Sequence, residues 1–175
     1  MDKETIVFGG GCFWCTEAIF TMLKGVYSAE PGYAGGKVER PTYEQVSAGT
    51  TGHIEVVKIE YNPDNVALEE LLQVFFETHD PTIPNRQGAD VGPQYHTAIF
   101  YTTERQKEKA EHYMKMIAGR FSKPIVTTVA PLITFWPAED YHQKYYENHK
   151  DAGYCQLVID PKVEKVQTKF KNLLK

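Results

Sequence analysis

The chain is short of several things, and each shortage excludes a class of protein. Three cysteines in 175 residues (Cys12, Cys15 and Cys155) are too few, and odd in number, for a secreted disulfide framework. In a reducing compartment, sparse cysteines are catalytic, redox-active, metal-bound or plain apolar filler. No apolar run approaches the roughly 20 residues of a membrane span. The opening Met1-Asp2-Lys3-Glu4 leads into no signal-peptide apolar region, so a cytoplasmic location is expected. Basic residues number 19 against 23 acidic ones, a net charge of -4, which lacks the concentrated positive charge that nucleic-acid binding needs. Repeats, low-complexity tracts and Pro/Gly/Ser-rich linkers are also missing. A single domain over 1–175 is therefore expected, long enough to bury a core without staples.

Hydrophobic spacing supplies the elements. Thr5 to Phe8 reads as a buried strand ending at Gly9-Gly10-Gly11. A helix follows, with Cys15, Ile19, Met22, Leu23 and Val26 at helical spacing. Val26 to Tyr33 reads as extended, and His53 to Tyr61 is the clearest strand. A second helix carries Leu68, Leu71, Leu72, Phe75 and Phe76, and stops before His79-Asp80-Pro81. Thr97 to Tyr101 is a further strand. Thr103, with Gln106 as its capping-box partner, opens a third helix lined by Ala110, Tyr113, Met114 and Ile117. Strand, helix, strand, strand, helix, strand is the order of a ferredoxin-like unit. The expected fold is α+β: a two-layer ferredoxin-like sandwich with a mixed or antiparallel sheet. Residues 35–52 and 79–95 show no regular pattern, and loops that long are often functional. Residues 150–175 read as a C-terminal extension, with Val163, Val166, Phe170, Leu173 and Leu174 on the stripe of a terminal helix that docks on its own domain.

Several residues have chemistry to offer. Cys12 stands where a glycine run opens a helix, and a thiolate there gains from free N–H groups and the helix dipole. The run lacks the Gly-Lys-Ser/Thr ending of a phosphate loop, and Trp14 occupies a position where a dinucleotide loop needs glycine. Phe13 and Trp14 cannot share one helical stripe, so at least one of them faces the pocket beside Cys12. Alternation along His53–Tyr61 puts Lys58 and Glu60 on one face and Glu55 with Val57, Ile59 and Tyr61 on the other. A desolvated Glu55 has a raised pKa and suits an acid near neutral pH; a buried salt bridge or a strand end reaching water is the alternative. Tyr43 and Tyr95 each lie in a long loop. Asp90 fits a turn as well as a site. Cys12, Cys15, Cys155 and His53 are conceivable zinc ligands, but one Cys-x-x-Cys is the only local signature.

Together these residues carry a specific resemblance. Gly11-Cys12-Phe13-Trp14 resembles the active-site signature of the A-type peptide methionine sulfoxide reductases. So do Gly32-Tyr33-x-Gly35-Gly36, Thr42-Tyr43-Glu44-x-Val46 and Gly52-His53-x-Glu55. The blocks His79-Asp80-Pro81-Thr82, Gln87-Gly88-x-Asp90-x-Gly92-x-x-Tyr95 and Ala138-Glu139-Asp140-Tyr141-His142-Gln143 continue the match in order. The resemblance implies that Cys12 attacks the sulfoxide sulfur while protonated Glu55 donates to its oxygen. It implies that Tyr43 and Tyr95 hydrogen-bond that oxygen, that Phe13 and Trp14 hold the S-methyl group, and that Asp90 supports the polar network. Cys12 is left as a sulfenic acid, which condenses with a second thiol. Cys155 matches the family's glycine-tyrosine-cysteine recycling position, and Cys15 is the alternative. Thioredoxin, or a chemical dithiol, restores the thiols. The resemblance implies no bound cofactor or metal and preference for the S-epimer. The substrates implied are oxidised proteins and peptides and free methionine sulfoxide, and a monomer is expected. His96 and Ala89 depart from the family, which more often has arginine and asparagine there.

Two other function classes stand beside this one. A dithiol oxidoreductase using Cys12 and Cys15 would have no use for Glu55, Tyr43 or Tyr95. A peptide-binding module would keep its affinity without Cys12.

Overall fold

The computed structural model describes residues 2–175. The chain runs β1 (Glu4–Gly9), α1 (Phe13–Thr21), β2 (Val26–Ala34), α2 (Tyr43–Ser47), β3 (Ile54–Tyr61) and α3 (Leu68–Glu77). It continues with β4 (Arg86–Gln87), β5 (Asp90–Val91), β6 (Ala98–Tyr101), α4 (Glu104–Ile117), β7 (Thr128–Pro131), β8 (Phe135–Pro137), α5 (Tyr145–Asn148) and α6 (Asp160–Lys169). The main sheet has the order β7-β6-β1-β3-β2-β8. Its four central strands pair antiparallel, and β8 extends them antiparallel beside β2. Among the described strands of this sheet, β7 alone lies parallel, against β6. The central order β6-β1-β3-β2, with α1 and α3 as crossovers, is the ferredoxin-like arrangement expected from the element order.

Alternation along the strands builds two unequal layers. Ile6 and Phe8 of β1 face the main core, and Val7 faces a smaller cluster with Ala34, Val56, Ala98 and Phe100 on the opposite side. Phe8 is fully buried between Phe20, centroids 5.4 Å apart, and Phe75, stacked at 4.5 Å. Leu68, Leu71, Leu72, Phe75 and Phe76 of α3 all enter the main core. Ala110, Tyr113 and Ile117 of α4 join them, and Met114 packs half-buried against it.

Four local expectations need correction. Helix α1 stops at Thr21, with Met22 as its C-cap, and Val26 belongs to β2. The 35–52 loop contains α2, which Thr42 and Gln45 start with a reciprocal capping box. The 79–95 loop contains the β4–β5 hairpin and a 3-10 turn at Pro93–Tyr95. At α4, the Thr103 hydroxyl accepts from the Gln106 N–H at 3.2 Å, but the Gln106 side-chain Oε1 accepts from the Thr102 N–H at 2.7 Å instead of from Thr103.

The C-terminal segment docks on the domain. Val166, Phe170 and Leu173 enter the main core. The Lys24 N–H donates to the Leu173 carbonyl at 2.8 Å, and the Lys175 N–H to the Met22 carbonyl at 2.9 Å. These contacts fasten the end of the chain beside the end of α1. No helix among the described residues is long and apolar enough to cross a membrane.

Candidate active site

Cys12 sits at the turn from β1 into α1. Gly11 makes that turn possible: its φ is +97°, and a Cβ there would lie 2.8 Å from Cβ and Cγ of Gln87. Gln87 is itself fixed, donating to the Asp80 carbonyl at 2.6 Å and accepting from the Asp80 N–H at 2.9 Å. Cys12 is the N-cap of α1, and its carbonyl accepts from the Cys15 N–H at 3.1 Å. The residue is only 9% exposed.

That burial overturns one expectation. The Cys12 thiol is pushed well above the ordinary range by burial first, then by its hydrogen bond with Cys15 and by the charge of Glu55. Desolvation outweighs whatever the helix N-terminus offers. Cys15 shares its helical spacing with Ile19, Met22 and Leu23. It is buried, but against Cys12, Cys155, Ile159 and Val163 rather than in the main core. The hydrogen bond from Cys12 is the largest influence on Cys15 and holds it down at about 7, against burial.

Glu55 lies on β3, 1% exposed, on the face sequence alternation assigned to it. Its partner is a backbone group rather than a basic side chain: the Phe13 N–H donates to Oε1 at 3.2 Å. Burial raises its pKa to about 8, and the charges of Asp90 and Cys15 add to the rise, while the Phe13 bond lowers it. A carboxyl so placed is predominantly protonated at neutral pH.

Tyr43 and Tyr95 come to the same place from the two loops. The Tyr43 N–H at the start of α2 donates to Glu139 Oε2 at 2.9 Å, and the Tyr33 hydroxyl donates to Glu139 Oε1 at 2.8 Å. Gly92, at φ +147°, turns the chain into the 3-10 segment that ends at Tyr95. Tyr95 packs against the cluster holding Cys12 and Cys15. Both phenols are raised by burial first and by the Glu55 charge next, which puts both within its electrostatic reach.

The aromatic pair divides. Phe13 is fully buried, 5.7 Å from the Tyr33 ring and 5.1 Å from His142. Trp14 is half-buried, donates from Nε1 to His142 Nδ1 at 3.1 Å, and stacks on Tyr145 at 3.6 Å and 6°. Asp90 joins the network through Tyr154, whose hydroxyl donates to Oδ2 at 2.7 Å and lies 3.9 Å from Cys15 Sγ.

Cys155 is fully buried in a π-helical turn, Cys155–Ile159, in the same cluster as Cys12 and Cys15. Burial raises its pKa, and the charges of Asp160 and Cys15 add to that. All three cysteines are free thiols. His53, weighed as a zinc ligand, spends its ring nitrogens elsewhere: Nδ1 accepts from the Gly36 N–H and Nε2 contacts the Val38 carbonyl.

Sequence reasoning gave no role to Glu139, His142, Tyr145 or Tyr154. The first two lie inside the Ala138–Gln143 block, and Tyr154 directly precedes Cys155. Their partners are more than 60 residues away in sequence, so no local periodicity marks them.

A peptide methionine sulfoxide reductase family model matches residues 4–174. The peptide methionine sulfoxide reductase MsrA of Sulfolobus acidocaldarius is 53% identical over 167 residues, 95% of each chain. That of Thermus thermophilus is 52% identical over 175 residues, covering 100% of this chain and 99% of its own. Among solved structures, reduced Mxr1 from Saccharomyces cerevisiae superposes with a TM-score of 0.81 at 29% identity, covering 87% of this chain and 89% of that one. With the fold, the buried acid beside Cys12 and a match across nearly the whole chain in agreement, this chain belongs to the peptide methionine sulfoxide reductase family.

Proposed function

We propose that this reductase acts on methionine-S-sulfoxide, peptidyl and free, through Cys12 as nucleophile and Glu55 as acid. The observation that carries the reading is the pairing of a protonated, fully buried Glu55 with Cys12 at one helix mouth. Sulfoxide oxygen is a poor leaving group until protonated, so the acid must be neutral where the thiol attacks. The Cys12 sulfur bonds to the sulfoxide sulfur as the Glu55 proton passes to the oxygen. The protonated oxygen then passes to the Cys12 sulfur: the sulfoxide S–O bond and the new S–S bond break, a Cys12 S–O bond forms, and methionine departs, leaving Cys12 as a sulfenic acid. The thiol proton of Cys12 restores Glu55, so the step consumes no external proton. Tyr43 and Tyr95 hydrogen-bond the oxygen as it gains charge. Phe13 and Trp14 form the apolar wall for the S-methyl group, and Asp90 orients Tyr154.

Recycling follows the order of the thiols. Cys155 is the recycling thiol expected from sequence, and the hydrogen bond between Cys12 and Cys15 supports placing Cys15 ahead of it. Cys15 condenses with the sulfenic acid, releasing water and forming Cys12–Cys15. Cys155 then attacks Cys15, freeing the Cys12 thiol and forming Cys15–Cys155. A dithiol reductant of the thioredoxin class takes that disulfide as its substrate, returning both thiols as it is oxidised.

The test is turnover of separated S- and R-sulfoxide peptides with a chemical dithiol. Reduction of the S-epimer alone is expected. Reduction of neither, or of R alone, overturns the reading.

A further inference from the structure

A buried carboxylate with no basic partner needs an account, and Glu17 is one that the reaction above does not use. It lies on α1, one turn beyond Trp14, and is 5% exposed. Its two oxygens accept backbone N–H groups from a distant segment: Oε2 from Lys144 at 2.7 Å and Oε1 from Tyr145 at 3.3 Å. Lys144 stands at φ 53°, ψ 37°, a left-handed conformation that a residue with a side chain rarely holds unless its surroundings impose it. The strained residue is the hinge between two elements that both touch Trp14. Before it, the 3-10 turn Asp140–His142 supplies the acceptor for the indole N–H. After it, α5 begins with Tyr145, whose ring lies flat on the indole.

We infer that Glu17 is a positioning residue for the substrate pocket: by holding the Lys144–Tyr145 turn, its carboxylate keeps Tyr145 and His142 clamped on Trp14. Glu17 and Trp14 project from neighbouring turns of one helix and grip the same distant turn from two sides. The inference rests on the reading of Trp14 as a wall of the methyl pocket. Gln143, donating to the Pro31 and Ala138 carbonyls at 3.1 Å each, anchors the other end of the segment. Among the described residues, Glu17 is the acceptor for the two N–H groups at the turn, and Ala18, Met22 and Val163 line the same cleft.

The clamp has a pH signature. Burial raises Glu17 to about 7, the Lys144 and Tyr145 bonds lower it, and the Glu147 charge adds to the rise. Tyr27 of β2 and Lys144, Tyr146, Glu147 and Lys150 around α5 are the other titratable groups lining this 690 Å³ cleft. Above its pKa the carboxylate accepts both N–H groups. Below it, one oxygen carries a proton and no longer accepts as well, so the clamp loosens as pH falls through about 7.

The experiment uses the full chain in a Trp136→Phe background, which leaves Trp14 as the one tryptophan of the two in the sequence. Acrylamide quenching of Trp14 and steady-state kinetics on an S-sulfoxide peptide are compared with and without Glu17→Gln. The amide keeps the shape but replaces one acceptor by a donor. Loss of one such bond predicts a KM raised about 5- to 10-fold, with kcat changed by less than about 3-fold. Trp14 quenching should rise in the variant. With Glu17 intact it should also rise as pH drops, with a midpoint near about 7 that Glu17→Gln removes. Unchanged KM and unchanged quenching in the variant overturn the proposal. So does a flat quenching profile with Glu17 intact, a measurement that stands even if Glu17→Gln fails to fold. Trp14→Phe with an unaltered KM would instead overturn the pocket reading, while the quenching step still reports the clamp.

Discussion

The Phe13 N–H donates to the Glu55 carboxyl at 3.2 Å, tying the first residue of α1 to the second residue of β3. This bond fixes the acid one residue from the nucleophile. It lowers the Glu55 pKa, yet burial still lifts it to about 8.

Glu55→Gln should therefore keep the fold and the Phe13 contact while losing the proton donor. Single-turnover formation of the Cys12 sulfenic acid should slow by about 10²–10⁴-fold. A variant within a few-fold of wild type would reduce Glu55 to a structural carboxyl. In wild type the same step should weaken as pH rises through about 8, where the donor ionises.

The same raised pKa has a stability consequence of definite sign. The folded carboxyl is raised to about 8, and an unfolded glutamate ionises at about 4.3, so between these pH values the folded state binds a proton that the unfolded state has lost. Unfolding free energy should fall as pH rises through that window and level off above it. Urea titrations of wild type and Glu55→Gln at several pH values test this, with the variant expected to lose part of the slope. Equal slopes would mean that Glu55 is not the group responsible.

Phe8 offers a test of the core that positions the site. Its ring is fully buried and touches both crossover helices through Phe20 and Phe75. Phe8→Ala should cost about 3–5 kcal/mol in urea unfolding. A loss below about 1 kcal/mol would mean that the two helices do not depend on this contact.

Much of this was legible in the sequence, for reasons that can be named. Alternation in β3 placed Glu55 on the buried face because strand side chains repeat every two residues. The order of strands and helices gave the four central strands, while β7 and β8 escaped because Val129 and Trp136 lie in short strands with no clear alternation. The position of Cys12 was readable from its glycines, but its protonation was not. A helix mouth argues for a depressed thiol, and only the packing shows that desolvation prevails. Cys15 illustrates the limit most clearly. Its helical spacing matched Ile19 and Leu23, yet α1 is buried on two sides, and the tail that covers the second side arrives some 140 residues later.

Asp90 and Tyr154 form a pair that can be separated from the first chemical step. The Tyr154 hydroxyl donates to Asp90 at 2.7 Å and lies 3.9 Å from Cys15 Sγ. Tyr154→Phe removes that donor and leaves Asp90 short of a partner, a loss worth about 1–3 kcal/mol. The expected kinetic result is a sulfenic-acid burst close to that of wild type with slower disulfide formation. A burst slowed as much as turnover would move the pair into the first step.

The last prediction concerns which disulfide forms first. Cys15 shares a hydrogen bond with Cys12 and is held down at about 7, so much of it is thiolate at neutral pH. Thiolate is the attacking species, and proximity favours the sulfur one helical turn away. Cys155 is raised by burial and feels the charge of Cys15. It also sits in a π-helical turn that leads directly into the docked helix α6. One equivalent of S-sulfoxide peptide, added without reductant and quenched early, should give mainly Cys12–Cys15 by peptide mapping. Later samples should show Cys15–Cys155. Cys155→Ser should stop at Cys12–Cys15 with one methionine formed, whereas Cys15→Ser should leave a sulfenic acid on Cys12 that dimedone traps. Direct appearance of Cys12–Cys155 in wild type, at the earliest times and without Cys12–Cys15, would remove Cys15 from the relay.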